Sequence, residues 1–385
     1  MRLSYHFKWL TPPLSTSLLP ALLLILLSGC STLSYYTQSI QGQLSLLYNR
    51  EEIDSVINNT NESETLRSKL QQVKAIRKYA SDELALPDNK SYLYYTDVNR
   101  PYVVWNVFAA PEFSLEPITW CYPIVGCVSY RGYFSENSAT KHAAKLTASN
   151  NDAFVAGIAA YSTLGYFDDP ALNTMLSWRE RALAGLIFHE LAHQVIYISN
   201  ETGFNEAFAS AVERIGSIQW LIENKPEQLE RYLSYLNAQN RFRILLGKTR
   251  GRLSLLYASN LSDEEKRKIK ARFIQEMTTE YSEIKQQWPN GIHFDAWFNK
   301  PANNARFTSS MTYLQQIPAF YRLFIEADGD WSNFFTRVKM IGKLDKKSRK
   351  TLMESKLESN FEIKQIVALT SERLHLSQPA LKSGD

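Results

Sequence analysis

The spacing of apolar positions changes character several times along the chain. Residues 18–27 are nearly all apolar, and Ile40, Leu44 and Leu47 then recur at helical spacing. A stretch rich in Lys, Arg, Gln, Glu and Ala from about Glu64 to Leu84 predicts a second helix that stops near Pro87-Asp88-Asn89. From Tyr92 the texture turns β-branched and aromatic: 92–96 and 102–108 predict strands, and a third is expected from Phe154 to Thr163, before a turn at 165–170. Leu176, Leu183, Leu186, Ile187, Leu191, Val195 and Ile196 restore a helical period between Met175 and Ile198. Asn200 and Gly203 supply a stop and a turn, and another helix runs from near Phe204 towards Trp220. The remainder reads as helical, with a capping-box start at Ser262-Asp-Glu-Glu265 before a charged helix to about Gln287. The expected fold is α+β and predominantly helical, with a small sheet, a central helix and a helical C-terminal half.

Composition leaves that picture intact. Apolar residues make up 44% and charged residues 21% of 385, ordinary usage for a globular chain. A formal net charge of +4 gives no reason to expect a nucleic-acid partner. The first residues stand apart: Arg2 and Lys8 precede the apolar run, which ends in Leu27-Ser28-Gly29-Cys30. This layout resembles a bacterial lipoprotein signal peptide, 1–29, with Cys30 as the lipidated residue and membrane anchor. Ser31 in the following position favours the outer over the inner membrane, with the protein facing the periplasm. The expected organisation continues with an N-terminal helical segment 30–90, a core 91–225 and a helical region 226–385. In an oxidising compartment Cys121 and Cys127 are expected to form a disulfide; two buried thiols or a metal pair are the alternatives.

The candidate chemistry lies in His189-Glu190-Leu191-Ala192-His193. On a helix, residues four apart project side by side, so His189 and His193 can offer two imidazoles to one zinc ion. Glu190, one step round the helix, is placed to act as general base on a water in an open coordination position. Leaving this trio metal-free would bury a glutamate on an apolar helix at a cost. Catalytic zinc requires a third protein ligand. Glu206 is the favoured candidate; Glu213, on nearly the same helical face, and Glu201 are rivals. His142, His293 and His375 have no partner at metal spacing.

His189-Glu-Leu-Ala-His-Gln194 followed by Asn205-Glu-Ala-Phe-Ala209 resembles the gluzincin signature of zinc peptidases, particularly M1 aminopeptidases. The resemblance implies a zincin-type active-site helix, with His189, His193 and Glu206 as zinc ligands and Glu190 as general base. Two departures stand out. Only twelve residues separate His193 from Glu206, fewer than in those families, and Ser210 occupies the place where thermolysin-like enzymes carry an aspartate that supports a histidine ligand. Leu86-Pro-Asp-Asn89, Arg100-Pro-Tyr-Val-Val-Trp-Asn-Val-Phe-Ala109, Tyr130-Arg-Gly-Tyr-Phe134 and Ala160-Tyr-Ser-Thr-Leu-Gly165 resemble strings of the bacterial putative aminopeptidase lipoprotein family. That resemblance implies a secreted, membrane-tethered zinc peptidase acting on peptides.

Tyr313 is the candidate donor to a tetrahedral oxyanion. Peptide binding against the strand at 154–163 would bring Tyr161, Ser162 and Thr163 to the cleft. No run like the amine-recognising one of M1 enzymes occurs; Asp168 or Asp169 could replace it, or could simply be turn residues. Endopeptidase action and a non-catalytic lipoprotein module with a vestigial zinc site are the competing readings.

Overall fold

The computed structural model describes residues 18–122, 126–160, 162–311, 316–355 and 363–377. They are predominantly helical with small sheets, the α+β class that the apolar pattern predicts. Two units are distinguishable, Met1–Ser45 and Leu46–Asp385. The first holds most of α1 (Leu18–Tyr48). Cys30 lies in that helix, with its side chain outside the described residues. Among the described residues no helix is long and apolar enough to cross a membrane.

The second unit opens with β1 (Glu51–Glu52), α2 (Ile53–Asn58) and α3 (Glu64–Asp82). Ser63 caps α3 by accepting from Leu66 N, and Leu70, Val73 and Ile76 supply its buried stripe. Arg77, also buried, donates to the carbonyls of Pro87, Asn89 and Ser91 at 2.8–2.9 Å, so α3 holds the loop that follows it. β2 (Tyr94–Thr96) then pairs with β1 and with β8 (Ala171–Leu172).

The principal sheet has the order β6-β3-β7, formed by β3 (Val104–Pro111), β6 (Arg131–Tyr133) and β7 (Asn151–Ile158), all antiparallel. Arg100 ties it together by donating to the carbonyls of Phe134 and Val103. A hairpin of β4 (Trp120–Tyr122) and β5 (Gly126–Val128) precedes β6, with Cys121 opposite Cys127 and the two joined as a disulfide. Between β6 and β7 lies α4 (Glu136–Ala148). β7 is an edge strand. Ile158 O accepts from Val103 N on the β3 side, whereas Ala153 O faces Asn303 Nδ2 on the other, so Val155 and Gly157 direct their backbone groups outwards. This strand ends at Ile158, before the predicted Thr163, because Ala159 O is taken by Thr174 Oγ1 and Thr163 turns back onto Asp169.

The predicted helix from Met175 to Ile198 is two helices, α5 (Asn173–Leu176) and α6 (Glu180–Val195). Arg179 is extended (φ −63°, ψ 148°) and restarts the chain as the N-cap of α6; Ile196, also extended, ends it. Asn200, at φ 65°, makes the reversal, while Gly203 falls inside α7 (Thr202–Asn224) rather than in the turn. Helices α6 and α7 cross closely. A Cβ on Gly216 would lie 2.8 Å from Leu84 Cδ1 and 2.9 Å from Phe188 Cδ2, both fully buried.

Beyond α7, α8 (Leu229–Tyr257) packs on α9 (Asp263–Lys285), which starts with the capping box at Ser262 and Glu265. A second core forms there around Phe242, Tyr281, Trp288 and Phe307, the last from α10 (Asn304–Met311). The main core gathers α3, α6 and α7 with α11 (Ile317–Ile325) and α12 (Trp331–Gly342); α13 (Lys346–Ser355) and α14 (Ile363–Ser377) are the last elements among the described residues.

Helical Gly216 and Gly251 form a contrasting pair. Alanine gains about 1 kcal/mol over glycine in a helix, but overpacking a core costs about 1–3 kcal/mol. Nothing lies within 4 Å of a Cβ on Gly251. Gly251→Ala is therefore expected to raise the urea midpoint, by about 0.5–1 kcal/mol of stability, and Gly216→Ala to lower it by about 1 kcal/mol.

Candidate functional site

The centre of the site is the crossing of α6 and α7. His189 and His193 project from the same face of α6, with ring centroids 4.9 Å apart and planes 81° to one another. Glu206, in the first turns of α7, lies with Oε2 3.4 Å from His189 Nε2 and 3.8 Å from His193 Nε2. One ligand atom from each of the three fits within a 4.8 Å cluster, a group that could hold a metal ion. A zinc ion with tetrahedral bonds of about 2.0–2.1 Å requires ligand atoms about 3.3 Å apart, close to the spacing found.

Glu213 stands seven residues from Glu206, nearly two turns along α7 and on the same face. Its Oε2 is 3.3 Å from His189 Nδ1, the nitrogen turned away from Glu206. The two carboxylates thus flank one imidazole. A Cβ on Gly185 of α6 would meet Glu213 Cγ at 3.1 Å, so the missing side chain leaves room for this approach. His193 Nδ1 is buried and has no hydrogen-bond partner among the described residues.

The turn between the helices is held by side chains. Asn205 accepts from Ile198 N at 2.9 Å and donates to Ile198 O at 2.8 Å, which closes the short connection that brings Glu206 back to α6. Asn200 Oδ1 accepts from Cys127 N, so the disulfide-linked hairpin lies against the same turn. On the other side Gln194 bonds to Asn89 and Ser91 in the loop held by Arg77.

Burial pushes the Glu190 carboxyl up to about 7, and neighbouring Glu206 adds to this against the pull of His189. The same burial lowers His193 to about 4, so its imidazole is neutral, the form that donates a lone pair. Burial would also lower His189, but the carboxylates on its two nitrogens outweigh it and hold it well above the ordinary range. Glu206 is held below the usual carboxylate range: burial opposes this, and the electrostatic pull of the two histidines, with the hydrogen bond from His189, prevails at the acid pH where Glu206 titrates.

His189 and Glu190 line a cavity of about 780 Å³. One wall is the end of β7 and the residues after it, from Gly157 to Ala160, with Tyr102 packed where a Cβ of Gly157 would be. Trp178 and Arg181 at the start of α6, Ser210 and Arg214 of α7, and Tyr232 and Tyr235 of α8 complete it.

Several expected residues lie elsewhere. Glu201 is paired with Lys346 and Arg349. His142 packs beside Trp120 and Tyr133, and His293 sits by Asp295. The side chain of His375, and Tyr161 and Tyr313 entirely, lie outside the described residues. Thr163 is bound to buried Asp169, and neither Asp168 nor Asp169 lines the cavity. Arg181 and Arg214 went unrecognised because cavity walls from three helices cannot be assembled from local spacing.

A family model described as putative aminopeptidase matches residues 34–353. The chain belongs to the putative aminopeptidase family. The family's description supports a peptidase-like function. No curated protein and no solved structure matches the chain. The family match spans the whole site, from the Arg77 loop through α6, α7 and the cavity wall of α8.

Asp169 provides a test of the loop beside the cavity. Burial raises its carboxyl to about 6, even though Thr163 donates to it twice. A carboxyl whose folded pKa lies above its unfolded value of about 3.9 stabilises the fold below that value and loses the contribution as pH rises through about 6. Asp169→Asn should therefore compare more favourably with the parent protein at pH 7.5 than at pH 4, as read from urea denaturation at the two pH values.

Proposed function

We propose that the protein is a zinc-dependent metallopeptidase, an aminopeptidase by family, anchored to the bacterial membrane through a lipidated Cys30. The observation that carries this reading is the convergence of His189, His193 and Glu206 with Glu213 behind His189. Two nitrogens and one carboxylate oxygen make a donor set suited to zinc, and three protein ligands leave a position open, as catalytic rather than structural sites do. Glu213 fits the role of the partner that fixes the orientation and tautomer of a ligating histidine, leaving Glu206 as third ligand.

A bound zinc ion would supply Lewis acidity to the scissile carbonyl and to the attacking water. Glu190 takes the proton of that water and delivers it to the leaving amine. The edge of β7 at Gly157 offers main-chain groups to an extended peptide entering the cavity. Tyr313 remains the proposed oxyanion donor. The leader 1–29 followed by Cys30, with Ser31 after it, supports a periplasmic site tethered to the outer membrane.

The zinc reading is tested by metal content and peptide hydrolysis on the full chain. The parent is expected to bind one zinc, and Glu206→Ala to lose it. Glu213→Gln should bind zinc about 10–100-fold more weakly. Glu190→Gln should keep zinc yet lose about 100-fold or more in kcat. A parent without stoichiometric zinc sinks the proposal, and cleavage confined to peptides with free N-termini separates aminopeptidase from endopeptidase action.

A further inference from the structure

Two arginines, Arg181 and Arg214, line the cavity beside His189. Arg181, in the first turn of α6, lies with its guanidinium 4.5 Å from the centroid of Tyr232 and 5.8 Å from that of Tyr235. Arg214 donates to Gln239 Oε1 at 2.8 Å and to Tyr321 Oη at 3.4 Å, both neutral groups. A neighbouring cavity of about 280 Å³ shares Trp178, Arg181, Tyr232 and Tyr235 with the first, and adds Arg179 and Arg231. Arg231 donates to the carbonyl of Asn290. None of these four arginines forms an ion pair with a carboxylate among the described residues. Of the two acids that line the larger cavity, Glu213 hydrogen-bonds to His189, while its charge also acts on Arg214 and Arg181 without contact, and Glu190 belongs to the reacting centre.

We infer that this arginine-lined cavity is a substrate subsite for a carboxylate, so that the preferred peptides carry an acidic group next to the bond cleaved. The inference deepens the peptidase reading and rests on it. Arg181 and Arg214 are half-buried and hydrogen-bond to no carboxylate among the described residues, so an anionic ligand would offset the cost of their partial desolvation; Arg179 and Arg231 are exposed. The planar fork of Arg181, braced by two tyrosine rings, suits two-point recognition of a carboxylate. Arg214, fixed by Gln239 and Tyr321, adds positive potential at the same wall. The N-terminal turn of α6, which lines both cavities, contributes partial charge of the same sign. A carboxylate can come from an Asp or Glu side chain or from the free C-terminus of a short peptide.

Four peptides of one sequence separate these sources: Glu or Gln at the position after the cleaved bond, each with a free or an amidated C-terminus. Their affinities are measured by calorimetry on zinc-loaded, full-length Glu190→Gln protein, which does not consume them. At least one carboxylate is expected to tighten binding about tenfold or more. Arg181→Gln should abolish that preference, whereas Arg181→Lys, which keeps the charge without the fork, should retain part of it. A preference that follows the side chain identifies acidic residues as the source; one that follows the terminus identifies short peptides. Equal affinity for all four, no measurable binding, or a preference that survives Arg181→Gln overturns the inference. Cleavage by the parent separates the two proposals. A carboxylate preference without cleavage of any peptide defeats the peptidase reading alone, and cleavage indifferent to the carboxylates defeats this one alone.

Discussion

The close crossing of α6 and α7 is the contact on which the site depends, because each helix carries part of it and neither part is complete alone. Two glycines permit the approach. Gly185 makes room for Glu213 and Ser217, and Gly216 for Phe188 and Leu84. A Cβ on Gly216 would force Phe188 or Leu84 to move, and one on Gly185 would require Glu213 and Ser217 to give by a few tenths of an ångström. The close-packed interior transmits such a shift rather than absorbing it. Phe188 precedes His189 directly, so the contact that sets the helix separation also sets the first imidazole.

The connection between these helices explains how a short gap can still return a glutamate to the histidines. Asn205 closes it with two bonds to the backbone of one residue, Ile198, Asn200 supplies the left-handed residue, and the Cys121–Cys127 hairpin lies against the outside. A long loop would have to be ordered at a cost in conformational entropy; this one is short and fixed by polar bonds on both sides. The charge pattern follows from the same geometry. Two acids flank His189, burial leaves His193 neutral, and Glu190 is set deep enough to hold its proton near neutrality.

Much of this was legible in the sequence because it is local. The HExxH spacing fixes the side of α6 on which both histidines stand, and the capping box at Ser262 marks the start of α9. Less local features were misplaced. The break at Ser177–Arg179 leaves no mark in the apolar period, and the end of β7 depends on Thr174, a residue beyond the strand. Glu213 was visible as a rival to Glu206, but its place behind His189 emerges only when α7 is laid against α6. The cavity arginines lie on α6, α7 and α8 and meet only in three dimensions.

The interval between Glu206 and Glu213 works as a ruler. Seven residues bring the second carboxylate back to the face of the first, so a single inserted residue would turn it about 100° away from His189, whereas three or four would restore the face but carry it about 5 Å along the axis. The chain can therefore be described by a spaced string, with HExxH, eleven residues, Asn-Glu, six residues and Glu. A genome searched with that string would yield proteins that keep both carboxylates on one imidazole, and would pass over the many helices in which the five-residue motif stands alone.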